Sequence, residues 1–546
     1  MKLFFTLVLF LGIINSNEAQ KLSKTDRVTY ANLQTHVKFL ADDKLEGRRT
    51  GTKGEEMAAQ YITAWFEKCG LQPKGTNGFL QPFEVNEGKQ ILASTILIMD
   101  GEHLKQGKDF FPLAWSINGS VEAIASPSLA EAGGPWFWDL KEVLEENKSN
   151  PHFDLNNTLR EKEKAATQKG ATALLIYNSG DVDDKIKYES KDRSTLSSIP
   201  VIYCNKPLTE KIAKDPSHTW DIKLKTEQGD KIRKGNNVVA YMNNSAATTI
   251  VLGAHFDHLG YGEDNNSRYT GGVAIHNGAD DNASGTAALL ELARLLKAGG
   301  NKNNNYLFIA FSGEELGLYG SKYFVDHPTI SLTDVNYMIN MDMVGRFSDS
   351  SKAITIGGVG TSPSWGSLIN GEKKMPFSVK VDSSGTGPSD HTSFYRKDIP
   401  VLFFFTGLHT DYHKPSDDFD KINYNGELMV VNYITRLIGR SQSQNKLVFT
   451  KTREQQTTTT ARFTVSMGIM PDYTFSGNGV KVDGVSEGRA AQKAGLKAGD
   501  VVTQLGEYSI SSVESYMQAL SKFKKGDATK VKVKRGNEEI VFEISF

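Results

Sequence analysis

Four apolar runs in the middle of the chain each end in residues that can bind a metal, and they constrain the fold more than any other feature. Their composition is typical of buried β-strands. The runs are Thr248–Ala254, Tyr306–Phe311, Val335–Met341 and Ile399–Phe405. Between the first two, leucine and alanine recur at helical spacing and predict a helix over Ser284–Lys297. Strands that alternate with helices predict an α/β fold, a mostly parallel sheet sandwiched by helices.

Imidazoles and carboxylates follow these runs or precede the helix. Since ligands of such sheets bind at the carboxyl ends of the strands, we expect these side chains to meet at one edge. The candidates are His255, Asp280, Asp281, Glu314, Glu315, Asp342 and His413. Imidazole and carboxylate without thiolate suit Zn²⁺ and would also accept Co²⁺ or Mn²⁺. The residue types therefore predict a metal site, and they suffice for two metals that share one carboxylate.

Each candidate also has a structural alternative when it is taken alone. A histidine at a strand end can be a hydrogen-bonded core residue. Asp280 or Asp281 can cap the following helix, and Glu314 with Glu315 can be a solvated pair. These alternatives would all have to hold at once, at the ends of several different elements, which favours the metal site.

The motifs HFD, GADDNASG, FSGEE, NMDMVG and YHKPSD, in this order, resemble those of the di-zinc exopeptidases. That family includes the secreted bacterial leucyl aminopeptidases and the glutamate carboxypeptidase II group. The resemblance implies two Zn²⁺ per chain. It implies that one zinc is bound by His255 and Asp342, the other by Glu315 and His413, and that Asp280 bridges them. Residue chemistry alone does not distinguish Asp280 from Asp281, and the resemblance gives Asp281 the task of shaping the turn.

The same resemblance implies the catalytic roles. Glu314 would be the general base, which takes a proton from the attacking water between the metals and returns one to the leaving amine. Tyr412 would donate a hydrogen bond to the developing oxyanion. Asp257, two residues after His255, would orient that imidazole.

The substrate class depends on which end of a peptide is held. Carboxypeptidase-like and dipeptidase-like members need clustered arginines, and this chain offers only the isolated Arg268 and Arg346 near the motifs. We therefore predict an aminopeptidase that removes N-terminal residues from peptides. A carboxypeptidase-type member and a non-catalytic, receptor-like relative stay open as alternatives.

The amino terminus predicts export. Residues 1–19 have a basic start, an apolar run over Leu3–Ile14 and Ala19 as a cleavage residue, as in a secretory signal peptide. That run is too short to span a bilayer, and no other stretch is apolar enough. We expect a periplasmic or extracellular protein. Its net charge of −1 disfavours nucleic acid as a partner. The only cysteines, Cys69 and Cys204, leave open whether they pair.

At 546 residues the chain is too long for one core. We predict a zinc peptidase domain over 20–95 and 236–445, a β-rich insert over 96–235, a linker over 446–461 and a further domain over 462–546. In the insert, KAATQKGATALLIYNSG and IPVIYCN resemble the protease-associated domain. The last domain resembles bacterial PDZ domains at Ala490, Ala494, Gly495, Leu496, Gly499 and Asp500. This resemblance implies that Ser466–Met470 binds a peptide C-terminus.

Overall fold

The computed structural model describes residues 22–150, 153, 155–190, 192, 195–264, 266–372, 375, 377–452, 465–471, 478–485, 488–510 and 513–546. The predicted signal peptide lies outside these residues. The chain forms two compact units, one from the residues up to Phe83 together with Asn236–Phe546, and one from Glu84–Gly235. Across the described ranges, no helix has both the length and the apolar character that a membrane crossing requires.

A nine-stranded sheet has its parallel centre in the first unit. Its strands, in spatial order, are Gln72–Pro73, Gln228–Met242, Asn305–Phe311, Thr249–His255, Val335–Met341, Val401–Phe405, Ala353–Gly357 and Ser378–Val381, with Leu80–Ile91 paired to Gln228–Met242 outside this order. The central strands from Asn305–Phe311 to Val401–Phe405 are parallel neighbours. The predicted mostly parallel α/β sheet is thus confirmed.

Helices cover both faces of this sheet. They are Lys24–Leu40, Lys53–Lys68, Gly285–Ala298, Tyr319–Asp326, Trp365–Asn370, His391–Tyr395 and Tyr424–Ser441, with short helical turns at Asp43–Arg48, Leu332–Asp334, Val359–Thr361 and Phe419–Lys421. Alternate residues of the strand Thr249–His255 pack into different hydrophobic cores. Ile250 and Leu252 belong to one buried cluster, and Val251 belongs to the other. Burial on both faces explains the continuous apolar runs in the sequence.

The helix Gly285–Ala298 begins against the end of a strand, and this contact explains a glycine in the sequence. A Cβ atom at Gly285 would lie 2.3 Å from Asn282 Oδ1 and 2.4 Å from the carbonyl oxygen of Met341. Only glycine therefore allows the chain around Asp281 to approach the strand Val335–Met341 this closely. The close approach brings the aspartate pair to the carboxyl edge of the sheet.

The second unit has two four-stranded sheets. One sheet contains Ile96–Met99, Glu102–Leu104, Gly119–Ala125 and Trp220–Thr226, and the other contains Phe110–Pro112, Pro135–Asp139, Ala173–Tyr177 and Val201–Cys204. Its helices are Lys141–Asn147, Leu155–Gln168 and Lys206–Lys214. Cys204 is buried in this unit, and both it and Cys69 are free thiols. The protease-associated identity of the unit stays a prediction.

The carboxy-terminal residues form a separate small sheet with its own core. Its strands are Ile469–Pro471, Val480–Val485, Val501–Leu505, Tyr508–Ser509, Ala528–Arg535 and Glu538–Ser545, and its helices are Ala490–Ala494 and Val513–Leu520. Arg535 donates to both oxygens of Asp500, at 2.6 and 2.8 Å. In the predicted linker, Leu447 is buried in the main core and the Thr450 N–H donates to the carbonyl of Thr361, whereas residues 453–461 lie outside the described residues.

Candidate metal centre

Two groups of imidazole and carboxylate atoms meet at the carboxyl edge of the large sheet. In the first, His255 Nε2 lies 3.3 Å from Asp281 Oδ1 and 3.4 Å from Asp342 Oδ1. In the second, His413 Nε2 lies 3.2 Å from Asp281 Oδ2 and 3.2 Å from Glu315 Oε2. Each oxygen of Asp281 therefore contacts the histidine of one group, and the Asp281 carboxylate lies between the two groups.

These separations suit shared metal ligands. Two atoms bound to a tetrahedral zinc at about 2.0–2.1 Å lie about 3.3 Å apart, the edge of the tetrahedron. The His255 Nε2 atom is buried and has no hydrogen-bond partner among the described residues. Burying several carboxylates together is costly without cations to balance them. Atom types, spacing and charge thus all fit a divalent metal at each group.

Both imidazoles are oriented through their other ring nitrogen. His255 Nδ1 lies 3.2 Å from the backbone carbonyl oxygen of Asp257, and His413 Nδ1 lies 2.8 Å from that of Asn266. When Nδ1 donates to a carbonyl, Nε2 is the nitrogen that gives up its proton and binds when a metal is present. Both histidines are therefore held ready to offer Nε2.

Asp257 acts mainly on the neighbouring loop. Its carboxylate accepts from the Thr50 hydroxyl at 2.9 Å and from the backbone N–H of Glu314 at 3.2 Å. The distance from the carboxylate to His255 Nδ1 is longer, at 3.6 Å. The side chain expected to orient His255 thus also positions the backbone of Glu314, and the Asp257 carbonyl makes the closer contact with the imidazole.

Asp280 is engaged away from the two groups. Its Oδ1 accepts from the Gly345 N–H at 2.7 Å and from the Ser284 hydroxyl at 3.0 Å, while Oδ2 lies 3.2 Å from His409 Nε2. The geometry supports Asp281, and not Asp280 as the sequence predicted, as the shared carboxylate. The two side chains are chemically identical, so only the path of the backbone decides which one faces the two groups.

Asp417 holds that backbone path in place. Its Oδ2 accepts from the N–H groups of both Asp280 and Asp281, at 3.0 and 3.1 Å. The following peptide bond, Asp281–Asn282, is cis. The sequence alone indicates no role for Asp417, although this residue is the last one of the motif YHKPSD. A buried carboxylate that caps two N–H groups has no distinct sequence signal, because capping aspartates are common in turns.

The two adjacent glutamates have opposite electrostatic environments. Burial raises the pKa of the Glu314 carboxyl well above its usual range, and the nearby charges of Asp342 and Asp390 raise it further. Burial would also raise the pKa of Glu315. Opposite effects, of which the positive charge of His413 is the largest, together outweigh burial, and the pKa of Glu315 falls to about 2. Neighbouring carboxyl groups with separated pKa values are typical of a charged ligand beside a proton carrier. This contrast suits Glu315 as the ligand and Glu314 as the base.

Tyr412 lies beside the second group. Its ring stacks on His413 with centroids 3.9 Å apart, and the Arg268 guanidinium lies 4.7 Å from the Tyr412 ring centroid. A cation over the ring face stabilises this stack. The structure therefore brings together His255, Asp281, Asp342, Glu314, Glu315, Tyr412 and His413, and it adds His258, whose Nδ1 lies 2.7 Å from Glu315 Oε1.

Arg48 ties together the loops that carry these ligands. Its buried guanidinium donates to the carbonyl oxygens of Phe256 at 2.7 Å, Asn277 at 2.7 Å and Gly278 at 3.0 Å, and also to that of Leu40. Phe256 follows His255, and Gly278 precedes the aspartate pair. One side chain thus fixes both ends of the segment that connects His255 to the aspartate pair.

Replacing Arg48 by methionine should destabilise the protein strongly. The change leaves buried carbonyls without donors, and each unsatisfied group costs about 1–3 kcal/mol. We expect the free energy of unfolding to fall by about 3 kcal/mol or more. Chemical denaturation of the metal-free chain measures it. The exposed Arg27→Met serves as the control and should change stability by less than about 0.5 kcal/mol. Equal stabilities of the two variants would show that water satisfies these carbonyls instead.

The fold and the site together define an α/β protein with a candidate metal centre at the carboxyl edge of a parallel sheet. Comparison with known families makes this specific. Residues 237–438 match the model of peptidase family M28, and residues 448–546 match that of the PDZ domain. The chain therefore contains a region similar to peptidase family M28 and, towards its carboxy-terminal end, a region similar to the PDZ domain.

Several known proteins are similar to this chain. Aminopeptidase YwaD of Bacillus subtilis is 28% identical over 281 residues, 49% of this chain and 56% of that protein. The probable lipoprotein aminopeptidase LpqL of Mycobacterium tuberculosis is 28% identical over 261 residues, 45% of this chain and 48% of that protein. The matches thus span about half the length of these relatives. Among solved structures, a zinc aminopeptidase from Bacillus subtilis is 21% identical with a TM-score of 0.43, over 77% of this chain and 98% of that one.

Proposed function

We propose that this protein is an exported aminopeptidase that uses two zinc ions to hydrolyse the first peptide bond of its substrates. One observation carries the proposal: the two oxygens of Asp281 each face a separate imidazole–carboxylate group. A carboxylate placed in this way suits two neighbouring metals. The names of the similar proteins YwaD and LpqL, both aminopeptidases, support the same activity.

The residues of the two groups would hold the ions as follows. His255 and Asp342 would bind one zinc, His413 and Glu315 the other, and Asp281 both. Cobalt or manganese would be possible substitutes, because the nitrogen and oxygen donors do not exclude them. When bound, the two ions supply Lewis-acid activation of the attacking water and of the scissile carbonyl.

Glu314 moves the proton. Its carboxylate takes a proton from water as the new C–O bond forms, and it gives that proton to the amine nitrogen as the C–N bond breaks. Burial favours the protonated form of Glu314, whereas neighbouring divalent cations favour the carboxylate form. These opposing influences suit a group that must both accept and release a proton. Tyr412, stacked on His413, would donate a hydrogen bond from its hydroxyl to the developing oxyanion.

The arginines near the site bear on which end of the peptide is held. Arg346 is paired through Nη2 with Asp411, at 3.1 Å, while its Nη1 has no hydrogen-bond partner within the described residues. This pairing supports an aminopeptidase over an enzyme that clamps a substrate carboxylate. One observation favours the second candidate, a dipeptidase or carboxypeptidase: Arg268 lies over Tyr412, and its Nη1 has no hydrogen-bond partner within the described residues.

Substrate panels test the activity and separate the two candidates. The zinc-loaded full chain is assayed with aminoacyl p-nitroanilides, with N-blocked aminoacyl p-nitroanilides, and with dipeptides and their C-terminal amides. We expect chelator-sensitive hydrolysis of the free-amine substrates, equal for dipeptide and amide. A strict requirement for the free carboxylate would favour the dipeptidase. Failure to hydrolyse any of these substrates would overturn the enzyme proposal in favour of a non-catalytic relative.

The remaining expectations concern location and partners. The signal-like residues 1–19 support export to the periplasm or the medium. The PDZ domain supports binding of a peptide C-terminus by strand addition at the segment around Ser466 and Gly468. Gly468 has a φ of +79°, and its N–H donates to the Ser466 hydroxyl oxygen at 3.1 Å. This contact holds the turn that precedes the strand Ile469–Pro471.

A further inference from the structure

His258 is a buried histidine that the proposed reaction does not use. It lies three residues after His255, and only 2% of its surface is exposed. Its backbone N–H donates to the carbonyl of Arg48 at 3.2 Å. The ring lies against the backbone of Gly278, where an added Cβ would come within 2.4 Å of the imidazole Cδ2. The backbone of His258 is therefore held by the loop of Arg48, and its ring packs against the segment that precedes the aspartate pair.

The contact of His258 with Glu315 differs from every contact within the two groups. His258 Nδ1 lies 2.7 Å from Glu315 Oε1, whereas the imidazole–carboxylate distances within the groups are 3.2–3.4 Å. Two ligands of one tetrahedral zinc would lie about 3.3 Å apart. A distance of 2.7 Å is that of a charge-assisted hydrogen bond. His258 is therefore placed as a donor to Glu315 and not as a further ligand beside it.

The two oxygens of Glu315 consequently have different partners. Oε1 accepts from His258, and Oε2 lies 3.2 Å from His413 Nε2. A carboxylate held by one oxygen cannot rotate freely to offer both to a metal. The hydrogen bond leaves Oε2 as the single oxygen that faces the second group. His258 also lies close to the shared carboxylate, because possible ligand atoms of His258, Asp281 and Glu315, one from each, lie within 4.8 Å of one another. Among the described residues, His258 forms no such set with His255 or Asp342.

We propose that His258 is a positioning residue that orients Glu315 and thereby sets the affinity of the second metal position, where Glu315 and His413 would bind. This assignment rests on the proposed function, because it requires that Glu315 binds a metal. Removal of the donor should weaken binding at the His413–Glu315 position and leave the His255–Asp342 position nearly unchanged. Residues that orient metal ligands typically change affinity by about 10–100-fold.

The test compares zinc binding by the full chain in three forms: wild type, His258→Leu and His258→Asn. Asparagine is informative because its Nδ2 can replace the Nδ1 donor, whereas leucine has a similar bulk and no donor. Calorimetric titration of the metal-free proteins with Zn²⁺ measures both affinities. We expect His258→Leu to weaken one of two sites by about 10–100-fold and His258→Asn to recover most of that loss. The absorption spectrum of Co²⁺ at the weaker site should shift in the leucine variant.

A matched control removes another buried histidine. His36 lies far from the motifs in sequence, and its Nδ1 is 2.7 Å from the Tyr61 hydroxyl. His36→Leu should leave both zinc affinities unchanged. Unchanged binding by His258→Leu, or equal weakening at both sites, would overturn the positioning role. An asparagine variant as weak as the leucine variant would instead indicate that His258 is a ligand. A wild-type chain that binds fewer than two ions overturns the two-zinc proposal itself, which keeps the two failures distinct.

Discussion

Glu314→Gln should lower turnover by at least about two orders of magnitude while leaving the bound zinc nearly unchanged. Glutamine keeps the shape and polarity of the side chain but cannot carry the proton from water to the amine. Glu314 Oε2 lies 3.9 Å from His255 Nε2, which is farther than the 3.3–3.4 Å contacts of the carboxylates that share that imidazole. The side chain therefore lies close to the reacting atoms without completing the ligand set.

The adjacent residue supplies the control. Glu315→Gln should lose metal as well as activity, because Glu315 Oε2 belongs to the second group. Metal analysis by mass spectrometry, together with turnover of an aminoacyl p-nitroanilide, measures both properties in each variant. Loss of zinc from Glu314→Gln with retention in Glu315→Gln would show that the two roles are exchanged. Normal turnover in zinc-loaded Glu314→Gln would remove the general base from the mechanism.

Asp281→Asn should abolish activity and weaken the binding of both ions by at least about two orders of magnitude. An amide offers one oxygen and no negative charge, so it cannot serve both groups. Asp281 Oδ1 faces His255 and Oδ2 faces His413, each within 3.3 Å. Few substitutions elsewhere in this site would affect both metals at once.

Asp280→Asn is the matched change and should have a much smaller effect. Asparagine keeps an oxygen that can accept from the Gly345 N–H and the Ser284 hydroxyl, the partners of Asp280 Oδ1. We expect zinc affinities within about tenfold of wild type. Titration of both variants with Zn²⁺ decides between the neighbours. Loss of both ions from Asp280→Asn, with near-normal binding by Asp281→Asn, would restore the sequence-based assignment.

Much of the fold is predictable from the chain alone. The strand predicted over Val335–Met341 has the observed bounds, and the helix predicted over Ser284–Lys297 is found at Gly285–Ala298. Such elements are predictable because their signal is local: a buried strand is a continuous apolar run, and a helix repeats its apolar residues every three to four positions. The parallel arrangement follows from the alternation of these elements.

Contacts between distant segments are not encoded locally. Asp417 caps the N–H groups of residues more than 130 positions earlier, and His258 donates to a glutamate 57 positions later. Histidine and aspartate occur in many turns, and the residues next to them in the chain do not indicate which distant groups they will contact. The role of Arg48 also cannot be predicted from the sequence. Its acceptors are backbone carbonyl oxygens, and every residue has one.

The sequence by itself determined the strands, the helix after the aspartate pair, and the kinds of side chain that reach the carboxyl edge of the sheet. Burial and periodicity depend on residue type, so residue type was enough. Only the tertiary structure decided that Asp281 connects the two groups and that Asp280 holds Gly345 instead. Two identical carboxylates one peptide apart differ only in direction. That direction is set by the Asp417 cap and by the close approach at Gly285, which belong to the folded chain.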